Sequence, residues 1–262
     1  HSQSTLADGR VLVCGGYDTS NRLKLDTALI YDPATDEWSQ AARMPGRRIE
    51  HSQSTLTDGR VLVCGGQDGN FLDTALIYDP ATDKWSQAAR MPEKRFVHSQ
   101  STLADGRVLV CGGHDNNNRL DTALIYDPAT DKWSPAANMP GKRVNHSQST
   151  LADGRVLVCG GYDGSNTFGG NFLDTVLIYD SETDKWSPAA RMPGQRQWHS
   201  QSTLADGRVL VCGGDDGSNR LDTALIYDFT TDKWSPAAKM PGKRSSHSQS
   251  TLADGRVLVC GG

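Results

Sequence analysis

The sequence predicts an all-β fold, a β-propeller built from four-stranded antiparallel sheets. The first observation is a repeat: the string HSQSTL recurs at intervals of 47 to 53 residues, beginning at His1, His51, His98, His146, His199 and His247. The second is that each repeat divides into four short runs separated by turn residues. The third is that no segment carries a sustained helical period. A meander of four strands repeated in this way is typical of propeller blades, because radial repetition leaves few unpaired strand edges.

Each run of the repeat has a pattern that fits one strand. Strand A is HSQSTL, and the pair Asp8-Gly9 that follows it is a strong hairpin signal. Strand B is RVLVC, which ends at Gly15-Gly16, where the backbone can adopt conformations that a side chain disfavours. Strand C is the apolar run 27–31, and strand D opens at Trp38 after a turn over 32–36. Because blades diverge from the axis outwards, the small residues of strand A predict that it is innermost.

The repeat boundaries predict one domain over residues 1–262. It contains five complete repeats and a half repeat, over 1–50, 51–97, 98–145, 146–198, 199–246 and 247–262. Five units of four strands and a final pair fall two strands short of six blades, and we expect a six-bladed ring. Either the sixth blade lacks its outer strands, or the missing strands come from another chain or from a segment outside this sequence. An open half blade leaves strand B with an unpaired edge, so self-association there is a second expectation.

The Gly-Gly pair after an apolar strand, a Tyr in strand C and a Trp in strand D resemble the kelch repeat. The pattern recurs five times, from Gly15-Gly16, Tyr31 and Trp38 to Gly213-Gly214, Tyr227 and Trp234. The motif DGRVLVCGG is most similar to that of the kelch subgroup that includes the galactose oxidase propeller. The resemblance implies six or seven blades and a role in binding proteins.

Composition narrows the class of partner. The net charge of −4 argues against nucleic acid as the main partner, and no run approaches the ~18 apolar residues of a membrane span. The six cysteines each precede a Gly-Gly pair, and equivalent positions of neighbouring blades are expected to lie too far apart for disulfides. We therefore expect free thiols in a reducing compartment, the cytoplasm. Because the chain opens in mid-pattern, we expect an excerpt of a longer protein or an engineered chain.

Two zones differ between the repeats. The loop between strands B and C varies from 6 residues at 67–72 to 12 at 162–173, and it accounts for every length difference. The second zone is a dipeptide inside a fixed Arg-x-x-His frame before strand A, for example Ile49-Glu50 between Arg48 and His51. In an up-and-down blade the B–C and D–A loops emerge on one face. Variable loops on a rigid scaffold are where binding specificity usually lies, so we expect this face to dock a protein or peptide.

The predicted ligand-binding residues are the variable positions, the frame arginines and the aromatic and charged residues of the B–C loops. They are Tyr17, Arg22, Arg48, Ile49, Glu50, Phe71, Arg95, Phe96, Val97, His114, Arg119, Arg143, Val144, Asn145, Tyr162, Phe168, Phe172, Arg196, Gln197, Trp198, Asp215, Arg220, Arg244, Ser245 and Ser246. Exposed aromatics interleaved with arginines are typical of interface hot spots. The basic residues of the D–A loops would form a cationic ring that suits an acidic partner. The alternative is that each Arg binds a neighbouring blade and that the loops vary without function.

Catalysis is not expected, and no catalytic residue, metal or cofactor is predicted. The resemblance to galactose oxidase implies a copper site with two Tyr, two His and a Cys cross-linked to Tyr. In that pattern, the position equivalent to His51 holds a metal-binding Tyr. In this chain the same position is His in all six copies of the repeat. A ring of imidazoles at the channel mouth and a sugar-converting kelch enzyme are the remaining enzyme-related alternatives. A recently amplified or engineered propeller without an evolved ligand is the other alternative.

Overall fold

A computed structural model describes residues 1–164 and 171–262, and these residues form strands and turns only. Five four-stranded antiparallel sheets follow one another along the chain, and a two-stranded sheet comes last. A further two-stranded hairpin lies within the first B–C loop. In this part of the chain no helix is long and apolar enough to cross a membrane.

The strands, taken blade by blade, have the following bounds. Blade 1 comprises β1 (Ser2–Thr5), β2 (Val11–Cys14), β5 (Ala28–Asp32) and β6 (Glu37–Ala41), and its B–C loop carries β3 (Tyr17–Asp18) and β4 (Leu23–Lys24). Blade 2 comprises β7 (Ser52–Thr55), β8 (Val61–Cys64), β9 (Ala75–Asp79) and β10 (Lys84–Ala88). Blade 3 comprises β11 (Ser99–Thr102), β12 (Val108–Cys111), β13 (Ala123–Asp127) and β14 (Lys132–Ala136). Blade 4 comprises β15 (Ser147–Thr150), β16 (Val156–Cys159), β17 (Val176–Asp180) and β18 (Lys185–Ala189). Blade 5 comprises β19 (Ser200–Thr203), β20 (Val209–Cys212), β21 (Ala224–Asp228) and β22 (Lys233–Ala237), and the last sheet comprises β23 (Ser248–Thr251) and β24 (Val257–Cys260).

The A strands surround the axis, as their small polar residues predict. Each A strand contacts the A strands of the sheets before and after it, and β23 contacts β1, so the cycle closes. Side chains join these strands: Gln53 donates from Nε2 to Ser4 Oγ at 3.0 Å, and Thr55 donates from Oγ1 to the Thr5 carbonyl at 2.7 Å. The same bonds join the ends of the chain, since Gln3 Nε2 donates to Ser250 Oγ at 2.9 Å.

The hydrophobic core lies between successive blades. One face of blade 1, including Leu12 and Ile30, packs against the opposite face of blade 2, including Val61 and Tyr78. The same arrangement recurs between blades 2 and 3, 3 and 4, and 4 and 5. Burial of these apolar side chains is the main stabilising contribution, and it depends on the next blade being present.

The Gly-Gly pair is required by close packing around the axis. Gly112 has φ +62°, and a Cβ there would lie 2.5 Å from the Arg143 carbonyl oxygen and 2.6 Å from the His146 ring. Gly113, at φ +91°, would place a Cβ 2.7 Å from the Cβ of His98. Each pair therefore allows strand B of one blade to approach the D–A loops on both sides of it.

Candidate functional site

The two variable zones lie together on one face of the ring. The first residue of four of the five variable dipeptides forms an antiparallel bridge with the residue that follows a Gly-Gly pair, as in Ile49 with Gln67 and Gln197 with Asp215. A second bridge then joins that residue to the far side of the B–C loop, as in Asp215 with Arg220. Backbone pairing thus fixes the D–A loops and the B–C loops into one continuous surface, which we call the variable face.

The second residue of each dipeptide has an unusual backbone. The positions, with their φ values, are Glu50 (55°), Val97 (50°), Asn145 (57°), Trp198 (53°) and Ser246 (57°). Each of the last four donates its backbone N–H to the carbonyl of the one before it, at 2.9 to 3.0 Å. We call these five residues the axial ring. Side chains other than Gly and Asn are disfavoured in this left-handed region, most of all the β-branched Val97.

The axial ring surrounds a cavity of about 610 Å³ on the variable face. All five residues of the ring line it, together with the histidines that follow them and with Tyr17 and Arg220. Glu50 and Trp198 are three steps apart along the hydrogen-bonded ring. The Glu50 carboxylate accepts a hydrogen bond of 2.8 Å from Gln67 Nε2, which orients it without neutralising it.

The histidines form the floor of this cavity as uncharged groups. His51 and His199 are each 6% exposed, and in the described part of the chain neither ring has a hydrogen-bond partner for its nitrogens. Burial lowers the pKa of His146 to about 3 and that of His247 to about 4, so these imidazoles are neutral at pH 7. Among the described residues, no three His, Cys, Asp or Glu side chains form a group that could hold a metal ion.

Four of the five frame arginines are buried rather than presented to solvent. Arg143 is 5% exposed, and its guanidinium donates to the Gly160 carbonyl at 2.7 Å, the Thr175 carbonyl at 3.0 Å and Thr175 Oγ1 at 2.7 Å. The same bonds reach the next blade from Arg48, Arg95 and Arg196. The prediction that these four arginines form a cationic ligand surface is wrong, because their charge is used to join blades.

Comparison with protein families supports the same repeat. The model of the KLHDC2/KLHL20/DRC7 Kelch-repeats domain matches residues 89–262, and the Kelch motif matches residues 4–45 and 52–92. The chain belongs to the kelch-repeat family. Kelch propellers are typically protein-interaction scaffolds.

Two curated relatives of the kelch chain are galactose oxidases of Gibberella zeae. Each is 41% identical over 46 residues, which is 18% of this chain and 7% of the relative. The chain thus matches less than a tenth of the length of these relatives, about one repeat.

Several aromatic residues of the variable face contact one another. Phe71 stacks on Phe96 with ring centroids 4.2 Å apart, and Tyr162 packs edge-on against Phe172 at 5.7 Å. Arg119 lies over the Tyr162 ring at 4.9 Å. Among the described aromatic residues of this face, Tyr17 and Trp198 have large exposed fractions, 49% and 40%. Phe168 lies outside the described residues.

The remaining predicted residues divide between the cavity and the outer surface. Ser245 lines the axial cavity, and Val144 is buried beside it in a bridge to Tyr162. His114 is half-buried against Phe71 and Phe96. Arg22 is exposed at the tip of the first B–C loop, and Arg244 is half-buried at the open sheet.

Sequence reasoning missed the different roles of the two dipeptide residues. The first residue pairs with the B–C loop, whereas the second enters the left-handed region and lines the axis. One signal was present among the repeats, because Asn145 is of a residue type that tolerates positive φ. The other four residues of the axial ring differ in type from Asn145, so the sequence does not show that all five share this conformation.

Proposed function

We propose that this kelch ring is a non-catalytic scaffold that docks a protein segment in the cavity enclosed by the axial ring. The observation that carries the proposal is the combination of one strained backbone with five different side chains. Holding Val97 or Trp198 at positive φ costs about 1–3 kcal/mol each, which a Gly in that position avoids. Strained residues cluster at functional sites, and apart from Arg22 and one aspartate in the turn before each strand D, the described non-glycine residues with positive φ surround the cavity.

The charges of the cavity favour a segment that inserts a cationic side chain. An acidic partner was expected from the basic residues of the D–A loops. Four frame arginines among them are buried between blades, whereas Arg47, Lys94, Lys142 and Lys243 are exposed on the outer side of these loops. The lining contributes the carboxylate of Glu50 and, three steps round the axial ring, the exposed indole of Trp198. A carboxylate and an indole together suit a Lys or Arg side chain, and the neutral imidazoles of the floor offer hydrogen-bond acceptors. Arg220, at the edge of the cavity, would favour an acidic residue flanking that cation.

A display library of random peptides about 12 residues long tests this proposal. We expect the wild-type protein to enrich Lys- or Arg-containing sequences. Glu50→Gln should weaken their binding about ten-fold or more, since hydrogen bonds to charged groups contribute about 1.5–3 kcal/mol. Glu182→Gln is the matched control, because it removes an exposed carboxylate from the opposite face.

The other outcomes of the selection discriminate between the alternatives. Enrichment of acidic peptides would replace the cationic segment with the acidic partner. Enrichment that Glu182→Gln abolishes and Glu50→Gln does not would move the site to the opposite face. No enrichment at all would favour an amplified or engineered scaffold without a ligand.

The absence of catalysis is part of the same proposal. The slot where the galactose oxidase pattern implies a metal-binding Tyr holds the buried His51, and burial raises the pKa of the Cys111 thiol to about 12. The buried free thiols also fit the proposed location in a reducing compartment. Stoichiometric copper in protein prepared without a His tag and loaded with Cu(II) would contradict the non-catalytic proposal.

We also propose that the ring has six blades, the sixth represented here by β23 and β24. The support is the closed cycle of six A strands. Self-association through the open edge of β24 is the expectation that follows from an incomplete blade, and the mass in solution tests it. A mass of one chain, 28.4 kDa, would contradict self-association and leave the six-position ring intact.

A further inference from the structure

The face opposite the variable face carries most of the negative charge of the chain. It is formed by the A–B turns, with the sequence Asp-Gly-Arg, and by the C–D turns, and we call it the uniform face. With the strand residues that flank these turns, it contains 18 acidic and 10 basic residues, whereas the loops of the variable face contain 13 acidic and 17 basic residues. The net charge of −4 therefore combines a negative face with a positive one.

The C–D turns supply the charge of the uniform face. Each Asp-Gly-Arg turn is neutral, because its Asp and Arg form an ion pair, as Asp58 and Arg60 do at 2.6 Å. In the C–D turn of blade 2, Asp79 accepts hydrogen bonds from the Thr82 hydroxyl at 2.8 Å and the Ala81 N–H at 2.9 Å, which lower the pKa of its carboxyl. These neutral partners leave its negative charge available to a cation.

A groove lies between the two kinds of turn on the uniform face. Between blades 1 and 2 its volume is about 320 Å³, and it is lined by both A–B turns and by Asp79, Pro80 and Ala81 of the C–D turn. The same groove recurs before blade 1, where the equivalent C–D turn lines it. Because the C–D turn repeats with each blade, the uniform face presents acidic grooves at the spacing of the blades.

The D–A loops of the variable face present cations at the same spacing. Four of these five loops carry an exposed cation one position before the frame Arg, and the loop after blade 4 carries Gln195 there. The four cations, which form no ion pair within the described part of the chain, are Arg47, Lys94, Lys142 and Lys243. By contrast, the cation at the end of strand D is already paired, as Arg90 is with Asp73 at 2.7 Å.

The two faces match in position as well as in charge. Each D–A loop runs from the outermost strand of one blade to the innermost strand of the next, and each groove lies between an outer C–D turn and inner A–B turns. Cations and grooves therefore both lie at middle radius and recur with each blade about one axis. Two rings on a common axis bring the cations of one over the grooves of the other.

We propose that the uniform face docks a second copy of this chain head to tail, with the D–A loop cations of one ring in the acidic grooves of the next. Such a contact joins two different faces and leaves one of each free, so copies add into a column. A five-residue strand such as β9 spans about 17 Å, more than the Debye length of about 10 Å at 0.1 M salt. The facing charges therefore attract one another, while the like charges on the far faces are screened. This inference is independent of the segment proposed for the axial cavity.

Sedimentation equilibrium of the full chain tests the proposal. At about 0.1 M salt, we expect the average mass to rise with protein concentration above the 28.4 kDa of one chain. At about 1 M salt, where the Debye length is about 3 Å, the mass should return to that of one chain.

Two charge variants identify the faces. The variable-face variant combines Lys94→Glu, Lys142→Glu and Lys243→Glu. The uniform-face variant combines Ala81→Lys, Ala129→Lys and Glu182→Lys, at an exposed position of the C–D turns where the backbone N–H makes the turn hydrogen bond. Each variant alone should associate at least about ten-fold more weakly than wild type, because three attractive contacts become repulsive.

A mixture of the two variants should associate again, since the acidic loops of one meet the basic turns of the other. A folding defect cannot produce this rescue. The control variant combines Ser86→Glu, Ser134→Glu and Ser235→Glu, which adds negative charge to the outermost strands and should leave association unchanged. A mass of one chain at every concentration would overturn the proposal. Association that neither charge variant weakens would place the contact on another surface and would overturn it as well.

Discussion

The frame arginines provide a stability prediction with an internal control. Arg143 makes three hydrogen bonds to the next blade and is 5% exposed, whereas Arg244 makes one to the open sheet and is half-buried. Arg143→Met leaves the Gly160 carbonyl without a donor, whereas the Thr175 carbonyl keeps the backbone N–H of Gly160. A buried acceptor left without a donor costs about 1–3 kcal/mol, and the two lost bonds to Thr175 add about 1 kcal/mol each, so we expect a total loss of about 3–5 kcal/mol. Arg244→Met should cost no more than about 1 kcal/mol.

Urea denaturation measures the difference between these two variants. With a slope of about 2–3 kcal/mol per molar, Arg143→Met should lower the midpoint by about 1–2 M and Arg244→Met by a few tenths. Circular dichroism and Trp fluorescence should be followed together, since the free energies are comparable only where both transitions coincide. Equal midpoint shifts for the two variants would refute the conclusion that the buried arginines join the blades.

Three further predictions follow from single residues. Val97→Gly should raise the Tm, because glycine adopts the positive φ of this position without the strain of a β-branched side chain. We expect the free energy of unfolding to rise by about 1 kcal/mol. An unchanged or lower Tm would argue against strain in the axial ring. Burial lowers the pKa of His146 to about 3, against about 6.5 in the unfolded chain, so the unfolded state binds the proton first as the pH falls. The free energy of unfolding should therefore decrease as the pH falls from 6.5 towards 3. This group contributes a loss of up to about 1.4 kcal/mol per pH unit. An acid titration in which His146→Gln loses as much stability as wild type over that range would contradict this. Cys260, which is half-buried, should react with a thiol reagent in the native protein before Cys111, which is fully buried; simultaneous labelling would show that the blades open together.

The strands and their order could be predicted because the repeat presents the same local signals five times. The Asp-Gly turn, the Gly-Gly pair and the apolar strand C each have one good structural interpretation, and the observed pairing of Val11 with Tyr31 follows from them. The grouping of the B–C and D–A loops on one face followed from strand alternation alone.

The contacts between blades could not be predicted from one repeat. An exposed Arg and a buried Arg look the same in the sequence, and only the packed ring shows that Arg143 reaches Thr175 of the next blade. The hydrogen bond from the Trp85 indole N–H to the Ala42 carbonyl joins residues more than 40 positions apart, so no local signal reveals it. Positive φ at Glu50 and Trp198 was equally hidden, since neither residue type favours it.

Hydrogen exchange of the protein with and without a selected Lys-containing peptide tests the binding site most directly. The account predicts slower exchange at residues 50, 97, 145, 198 and 246, whose amides surround the cavity. Protection confined to the Asp-Gly turns on the other side of the ring would show that the partner docks elsewhere.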